Sequence, residues 1–459
     1  MIEQENNNQE TNIFLQKYSK LTDNPKKFLF VSHESLSGDL AWEIQKRGHF
    51  VKVYIKAEAD KDVYDGILEK TDDWRKEIDW ADVIIFDDIG FGSAAEELRA
   101  KGKLVVGGSK YTDKLEEDRE FGQNEMSKVG MNVLPHWDFN DFNEGINFIK
   151  QNPSTYVFKP SDSGSMVPKG ILFLGHEEDG KDIIQILEQN RSLWAKKIKK
   201  FILQKRAIGV EVAVGAFFNG NDFIYPINVN FEHKKLFPGD IGPYTGEMGT
   251  LMFWSPPNKI FANTLGKMKE ELAKSGYVGY IDINCIANSK GIFPLEFTCR
   301  FGYPTISIQM EGVSCDWGEF FYKLASKENA ELKAKKGFQI GVVIAVPPFP
   351  FEDKKEAFVY RDLSVIFKKP NIDGIHLGEL KLVDQMLTIA GETGYVMVVS
   401  GEGNTVEEAR RQVYSRVKNV KIQNMYYRTD IGYRWACDSD KLHSDGYLYS
   451  INGENNNNK

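Results

Sequence analysis

Two short runs constrain the fold of this chain more than any other feature: Gly279-Tyr-Ile-Asp-Ile-Asn-Cys285 and Pro294-Leu-Glu-Phe-Thr-Cys-Arg-Phe-Gly302. Apolar and polar residues alternate in both with period two, the pattern of a β-strand with one face in the core and one in water. Ile281, Ile283 and Cys285 share a face against Asp282 and Asn284, and Leu295, Phe297 and Cys299 share one against Glu296, Thr298 and Arg300. The turn signal Asn288-Ser-Lys-Gly291 predicts a hairpin. A three-residue loop with Gly291 in the left-handed region would set Asp282 opposite Glu296. Facing carboxylates repel unless a cation lies between them, and hard oxygen ligands suit Mg²⁺. A solvated sheet face on which Arg300 neutralises Glu296 satisfies the same pattern. The hairpin alone leaves both readings open.

The rest of the chain predicts a mixed α/β fold. Strands at Lys27-Phe-Leu-Phe-Val-Ser32, Phe50-Val-Lys-Val-Tyr-Ile55, Asp82-Val-Ile-Ile-Phe86 and Lys103-Leu-Val-Val-Gly107 alternate with helical patterns, so 27–112 reads as an α/β domain around a parallel sheet. A second domain is expected over 113–335, beginning with a helix at 115–129, and a mostly β C-terminal domain over 336–452. The charged stretch Ala330-Glu-Leu-Lys-Ala-Lys-Lys336 reads as a helix end before the strand Gln339-Ile-Gly-Val-Val-Ile-Ala345. Residues 1–26 and the Asn-rich 453–459 read as disordered tails.

Composition excludes some roles. A formal charge of −8 argues against nucleic acid as a partner, and the basic run Lys196-Lys-Ile-Lys-Lys200 reads as a solvated helix face. The four cysteines have neither metal-ligand nor disulfide-framework spacing, and Cys285 and Cys299 fall on apolar strand faces. No signal peptide and no apolar run of about 20 residues is present, so a cytoplasmic location without membrane contact is expected.

Several segments carry a resemblance in one order along the chain. Glu232-His-Lys-Lys235 with Gly239-Asp-Ile-Gly-Pro-Tyr-Thr-Gly-Glu-Met-Gly249, then Glu296-Phe-Thr-Cys-Arg-Phe-Gly302, Gly403-Asn-Thr-Val-Glu-Glu-Ala409 and Tyr427-Arg-Thr-Asp-Ile-Gly-Tyr-Arg434 resemble the phosphoribosylamine–glycine ligase family of the ATP-grasp superfamily. The resemblance implies an ATP-grasp fold with a mobile lid at about 135–203, and ATP with Mg²⁺ or Mn²⁺ as cofactors. It implies that Lys159, Arg119 and Lys169 (in the loop after Lys159) reach the nucleotide phosphates. Gln204, Arg206 and Glu211 would hold adenine and ribose, with Gln204 standing where the family has Glu. An ion pair with Glu116 is the plain alternative for Arg119. Glu296 and the position of Thr298 are implied as metal ligands. Thr298 replaces an Asn, so Asp282 is the expected compensating oxygen. Asp240, Gly242, Tyr244, Glu247, Arg300 and Tyr303 would meet the substrates, and Lys159 and Arg300 would be catalytic.

Departures from the family pattern gather on the acceptor side. Ser35-Leu-Ser-Gly-Asp39 replaces a Gly-rich turn with Arg-Glu-His, Tyr244 replaces Asn, Glu247 replaces Gly, and Tyr303-Pro-Thr305 replaces Asp-Pro-Glu. Tyr244, Tyr303 and Glu247 are therefore expected to line one cavity beside Arg300. The expected activity is ATP-dependent joining of a carboxylate to an amine through an acyl phosphate. Glycine and phosphoribosylamine are the leading pair, and the chain is expected to be a monomer or homodimer. The same chemistry on another amino acid or amine, and nucleotide binding without ligation, are the alternatives.

Overall fold

The computed structural model describes residues 21–160, 172–351 and 353–451. Lys169 and the rest of the loop expected to cover phosphates, as well as most of both tails, lie outside the described residues.

The first sheet is parallel, in the order β3-β2-β1-β4-β5, from β1 (Lys27–Ser32), β2 (Phe50–Ile55), β3 (Glu69–Lys70), β4 (Val83–Phe86) and β5 (Leu104–Val106). Phe28, Leu29, Phe30 and Val31 are all buried, as a strand covered on both faces requires. The order reverses between β1 and β4. The loops after these two strands therefore diverge, leaving a crevice at their carboxyl ends.

Residues 136–205 make a smaller antiparallel sheet, β6 (His136–Phe139), β9 (Phe201–Lys205), β7 (Tyr156–Pro160) and β8 (Phe173–Leu174) in that order. Its core is separate, built by Phe142, Ile149, Tyr156, Phe158, Ile183, Leu187 and Phe201. A layer with its own core can shift as a body, which suits the expected lid.

The largest sheet carries the candidate site. β10 (Val210–Asn219), β11 (Phe223–Glu232), β14 (Gly249–Ser255), β15 (Val278–Asn288), β16 (Gly291–Thr298), β17 (Phe338–Ala345), β18 (Ile375–Leu377) and β19 (Tyr395–Gly403) pair in the order β16-β15-β10-β11-β14-β17-β19-β18. A two-stranded hairpin, β12 (Lys235–Phe237) and β13 (Ile241–Tyr244), projects beyond β11. The boundary expected near 335 falls within one continuous sheet, since β17 hydrogen-bonds β14 directly. Alternation marks a strand but not the sheet that it joins.

Two helical expectations are corrected. The helix at 115–129 is broken: Lys110–Glu117 ends at Asp118, which then caps Arg119–Lys128 through the Phe121 N–H. Residues 330–336 are not helical, and the basic run 196–200 follows the helix Lys181–Trp194 rather than forming one. The helix Thr305–Gly312 lies on β14, β17 and β19. Gly341 allows that approach, because a Cβ there would sit 2.2 Å from Ile308 Cγ1. This helix follows the Arg300–Tyr303 segment immediately, so its seating positions the site. Among the described residues no helix is long and apolar enough to cross a membrane.

Candidate active site

The hairpin forms, but in another register. Its loop has two residues, Ser289 and Lys290, closed by the pair Asn288 and Gly291. The pairing then shifts by one between Asn284 and Cys285, leaving Leu295 bulged beside Pro294. Proline brings no N–H to a ladder, so a bulge is a natural place for it. Past the bulge Asp282 faces Thr298 and Asn284 faces Glu296. The expected Asp282–Glu296 pair is thus corrected by two residues along β16. The shift preserves the alternation: Ile281, Ile283, Cys285, Phe297 and Cys299 remain in the core.

Arg119, Lys159 and Gln204, all expected at the nucleotide, converge where the smaller antiparallel sheet meets this hairpin. Lys159 donates to Gln204 Oε1 at 2.8 Å, and burial, helped by the nearby Arg119, pulls its ammonium down to about 8. The bond occupies the Gln204 carbonyl expected to meet adenine. A cavity of about 70 Å³ between the layers is lined by Arg119, Lys159 and Gln204 with Met126, Leu295 and Phe297. That is small beside the several hundred Å³ of a typical ligand pocket. Arg206 instead donates to the Gly175 carbonyl at 2.6 Å.

Lys234, which sequence reasoning did not select, is the hub of this region. Its ammonium lies 2.9 Å from Glu211, 3.2 Å from Glu232 and 3.8 Å from Glu296. Burial opposes its charge, yet these three acids hold it well above the ordinary lysine range. Burial likewise opposes the charge of Glu296. Half of that side chain is open to solvent, so Lys234, Arg119, Lys159 and Arg300 decide, holding its carboxyl below the usual range. Asp282 lies deeper. It is 2% exposed, and burial, then Glu232, pushes its carboxyl well up, while Arg300 and the Thr298 hydroxyl pull the other way. Its Oδ1 has no hydrogen-bond partner among the described residues.

The acceptor-side residues divide between two places. Tyr303 stands by Arg300, whose guanidinium carbon is 5.5 Å from its ring centre. Tyr303 donates to the Asp87 carbonyl at 2.8 Å, bringing it to the Ser35–Asp39 turn, where Ser37 donates to Asp87 Oδ2 at 2.6 Å. Tyr244 lies elsewhere, with the Lys235 ammonium 3.5 Å from its ring centre and Glu211 nearby. Glu247 is buried, and burial followed by Glu232 pushes its carboxyl well up. The single cavity expected beside Arg300 is not what these contacts describe: Tyr303 stands by Arg300, Tyr244 by Lys235, and Glu247 near Glu232, Lys234 and Asp282. Sequence periodicity placed none of these loops in space.

Arg300 is held by acids, with Glu116 at 3.3 Å and Asp88 at 3.5 Å. Glu116 also accepts the Cys299 N–H at 2.6 Å, so it serves Arg300 rather than Arg119. Asp240 pairs with Arg428 at 2.9 Å and with Arg434 at 3.5 Å, and Gly242 accepts from Lys235 Nζ through its carbonyl. Glu232, Glu116 and Asp87 were missed. Only Glu232 carried a signal, its place in the run before Lys234.

Comparison with known proteins agrees with this geometry. Residues 117–306 match the ATP-grasp (A) domain of phosphoribosylglycinamide synthetase and 339–434 match its C domain, together more than half of the chain. A phosphoribosylamine–glycine ligase of Streptococcus pneumoniae is 25% identical over 358 residues, covering 75% of this chain and 82% of its own. One from Listeria innocua is 24% identical over 381 residues, covering 78% and 86%. Among solved structures, a phosphoribosylamine–glycine ligase from Thermotoga maritima superposes with a TM-score of 0.67 at 21% identity, over 88% of this chain and all of its own. A biotin carboxylase from Campylobacter jejuni gives 0.59 at 14% identity, over 93% and 98%. These two show the shared fold.

Proposed function

The chain belongs to the phosphoribosylglycinamide synthetase family, ATP-dependent carbon–nitrogen ligases of purine biosynthesis, and we propose that it joins a carboxylate to an amine through an acyl phosphate. Glycine and phosphoribosylamine are the pair that the relatives' name supplies and the first to assay. The convergence of Lys159, Arg119, Gln204, Glu211 and Glu296 between lid and sheet carries this reading.

A carboxylate oxygen of the first substrate attacks the γ-phosphorus of ATP, and ADP leaves. The amine nitrogen then attacks the acyl carbon. A C–N bond forms, the C–O bond to phosphate breaks, and phosphate departs with the amine proton. Lys159 and Arg119 would hold the phosphates, Gln204, Arg206 and Glu211 would frame adenine and ribose, and Arg300 would orient the carboxylate with its planar fork. Asp240 and Gly242 would act by holding the β12–β13 hairpin, with Tyr244 and Glu247 on the sheet side of the substrates. The open carboxylate of Glu296, the Thr298 hydroxyl and the unpartnered Asp282 Oδ1 form a hard-oxygen set that fits Mg²⁺ or Mn²⁺. Such an ion, when bound, neutralises phosphate charge. Among the described residues no three His, Cys, Asp or Glu side chains converge closely enough to hold a metal alone, so nucleotide phosphates would complete its coordination.

ADP release tests the reading against a panel of amino acids, with and without phosphoribosylamine generated in situ. Turnover with glycine only when phosphoribosylamine is present is expected. No turnover with any pair overturns it. A second reading, the same chemistry on another amine, is favoured by the buried carboxyl of Glu247. A cytoplasmic monomer or homodimer accompanies either reading. Asp282→Asn is expected to raise the Mg²⁺ concentration for half-maximal rate about threefold or more, by weakening one oxygen ligand. A titration identical to wild type removes Asp282 from the set.

A further inference from the structure

The large sheet carries polar side chains on a face that the fold covers. Its register sets Asn284 and Asn230 on either side of Ala213, and Thr250 opposite Glu232, so these residues share the face of Glu296. Asn230 and Thr250 are fully buried and Asn284 is 5% exposed. A covered sheet face ordinarily holds apolar residues, because a buried polar atom without a partner gives up its water and gains nothing in return. Asn230 donates to Asn228 Oδ1 at 3.3 Å, and Asn284 to Glu232 Oε1 at 3.4 Å. The carbonyl oxygens of both amides and the Thr250 hydroxyl have no hydrogen-bond partner among the described residues. The floor is therefore rich in free acceptors.

Glu247 supplies an independent observation. Its turn is pinned to the end of β11, with the Thr245 N–H donating to the Lys234 carbonyl at 2.8 Å and the Met248 N–H to the His233 carbonyl at 2.9 Å. The side chain is 6% exposed, and its Oε1 also lacks a partner among the described residues. Glu232, Asp282 and Glu211 face it, three acids against the single ammonium of Lys234. That ammonium is already shared by Glu211, Glu232 and Glu296. The phenols of Tyr280 and Tyr395 are its other titratable neighbours, and neither donates to it. A buried carboxyl in this position lacks a cation. From Asn284 on β15 to Thr250 on β14 the floor crosses three strand spacings, roughly 14 Å at about 4.8 Å each. Glycine, with one ammonium on one carbon, leaves most of these acceptors without a donor.

We infer that Glu247 and the polar floor form a side-chain subsite, through which the ligase takes as its carboxylate substrate an amino acid with a cationic side chain. The carboxylate end lies at Arg300 and receives the γ-phosphoryl group. The ammonium or guanidinium at the other end pairs with Glu247 and gives its remaining N–H donors to Asn230, Asn284 and Thr250. Lys234 does not oppose this cation, because its own charge is balanced by three acids. Glycine fills only the carboxylate end, so it reacts at a lower kcat/KM. Glu247 stands where the family pattern has glycine, a residue with no side chain to make such a seat.

The inference rests on the ligase reading and narrows its carboxylate substrate. Hydroxylamine, which traps an acyl phosphate, serves as the nucleophile, so the identity of the amine does not enter. With ATP and Mg²⁺, kcat/KM for ADP release is expected to be about tenfold or more higher for arginine than for citrulline, or for ornithine than for norleucine, the scale of one charge-assisted hydrogen bond. Each pair keeps the shape and removes the charge. The two pairs tell a guanidinium from an ammonium, and a preference in either supports the subsite. Glu247→Gln and Glu247→Gly should both bring the ratio close to one. Glu247→Gln should melt at or above wild type, since it removes an unpaired buried carboxyl. Calorimetric binding of the preferred amino acid in the presence of ADP should weaken by the same factor in Glu247→Gln. Ratios near one in wild type, or ratios that both variants leave unchanged, overturn the subsite alone if glycine is turned over. A wild-type chain that releases no ADP with glycine or any other amino acid overturns the ligase reading, and the subsite with it.

Discussion

Replacing Lys159 by alanine is expected to weaken ATP binding about 10- to 100-fold, the worth of one or two charge-assisted bonds to phosphate in a desolvated cleft. Lys159 sits at the end of β7, with Gln204 as its hydrogen-bond partner. Its removal leaves one neutral amide oxygen at the cleft rather than an uncompensated charge. The fold should therefore survive, with a melting temperature close to wild type. The same lysine predicts a pH dependence. Its folded-state value of about 8 lies below the ordinary lysine value, so it is charged below that pH and neutral above it. ATP affinity should fall between about pH 7 and 9, and the slope should vanish in Lys159→Ala. Nucleotide titrations at the two pH values check both. Unchanged affinity in the variant would place the phosphate contact elsewhere.

The second large effect is structural. Arg428 is 1% exposed and gathers Asp240 at 2.9 Å, both oxygens of Asp430 at 2.8 and 2.7 Å, and the Lys235 carbonyl at 3.0 Å. Gly239 N–H also donates to Asp430 at 2.9 Å, so the C-terminal segment clamps the β12–β13 hairpin. Arg428→Met keeps the volume and removes the charge, leaving two carboxylates around an apolar stem. Breaking a buried pair costs about 3–5 kcal/mol, and the lower end applies because Asp240 remains partly open to water. Urea unfolding should show that loss. Ligase turnover should fall as well, because Lys234 and Tyr244 are held from the same hairpin. A variant as stable as wild type would show that the clamp contributes nothing.

How the sequence related to this outcome is clearest in the β15–β16 hairpin. Period-two alternation is a local property, and it correctly assigned Cys285, Phe297 and Cys299 to the core and Glu296 and Thr298 to the other face. Register is not local. The two-residue loop alone would set Phe297 opposite Asp282, and the one-residue bulge at Leu295 moves that partner to Thr298. Nothing in the alternation announces a bulge, although Pro294 was a hint that went unused. The unforeseen helix break at Asp118 is similar: an N-cap aspartate looks like any acidic residue within a helical run.

The sequence by itself determined the family, the mixed α/β class and the strand faces. Each of these resides in residue type and short-range spacing. Tertiary structure alone decided that Lys234 gathers three acids from β10, β11 and β16, that Glu116 serves Arg300 rather than Arg119, and that Tyr244 and Tyr303 lie apart. Those outcomes depend on which distant segments the core brings together, and electrostatic partners are chosen by distance in space, which one-dimensional spacing does not encode.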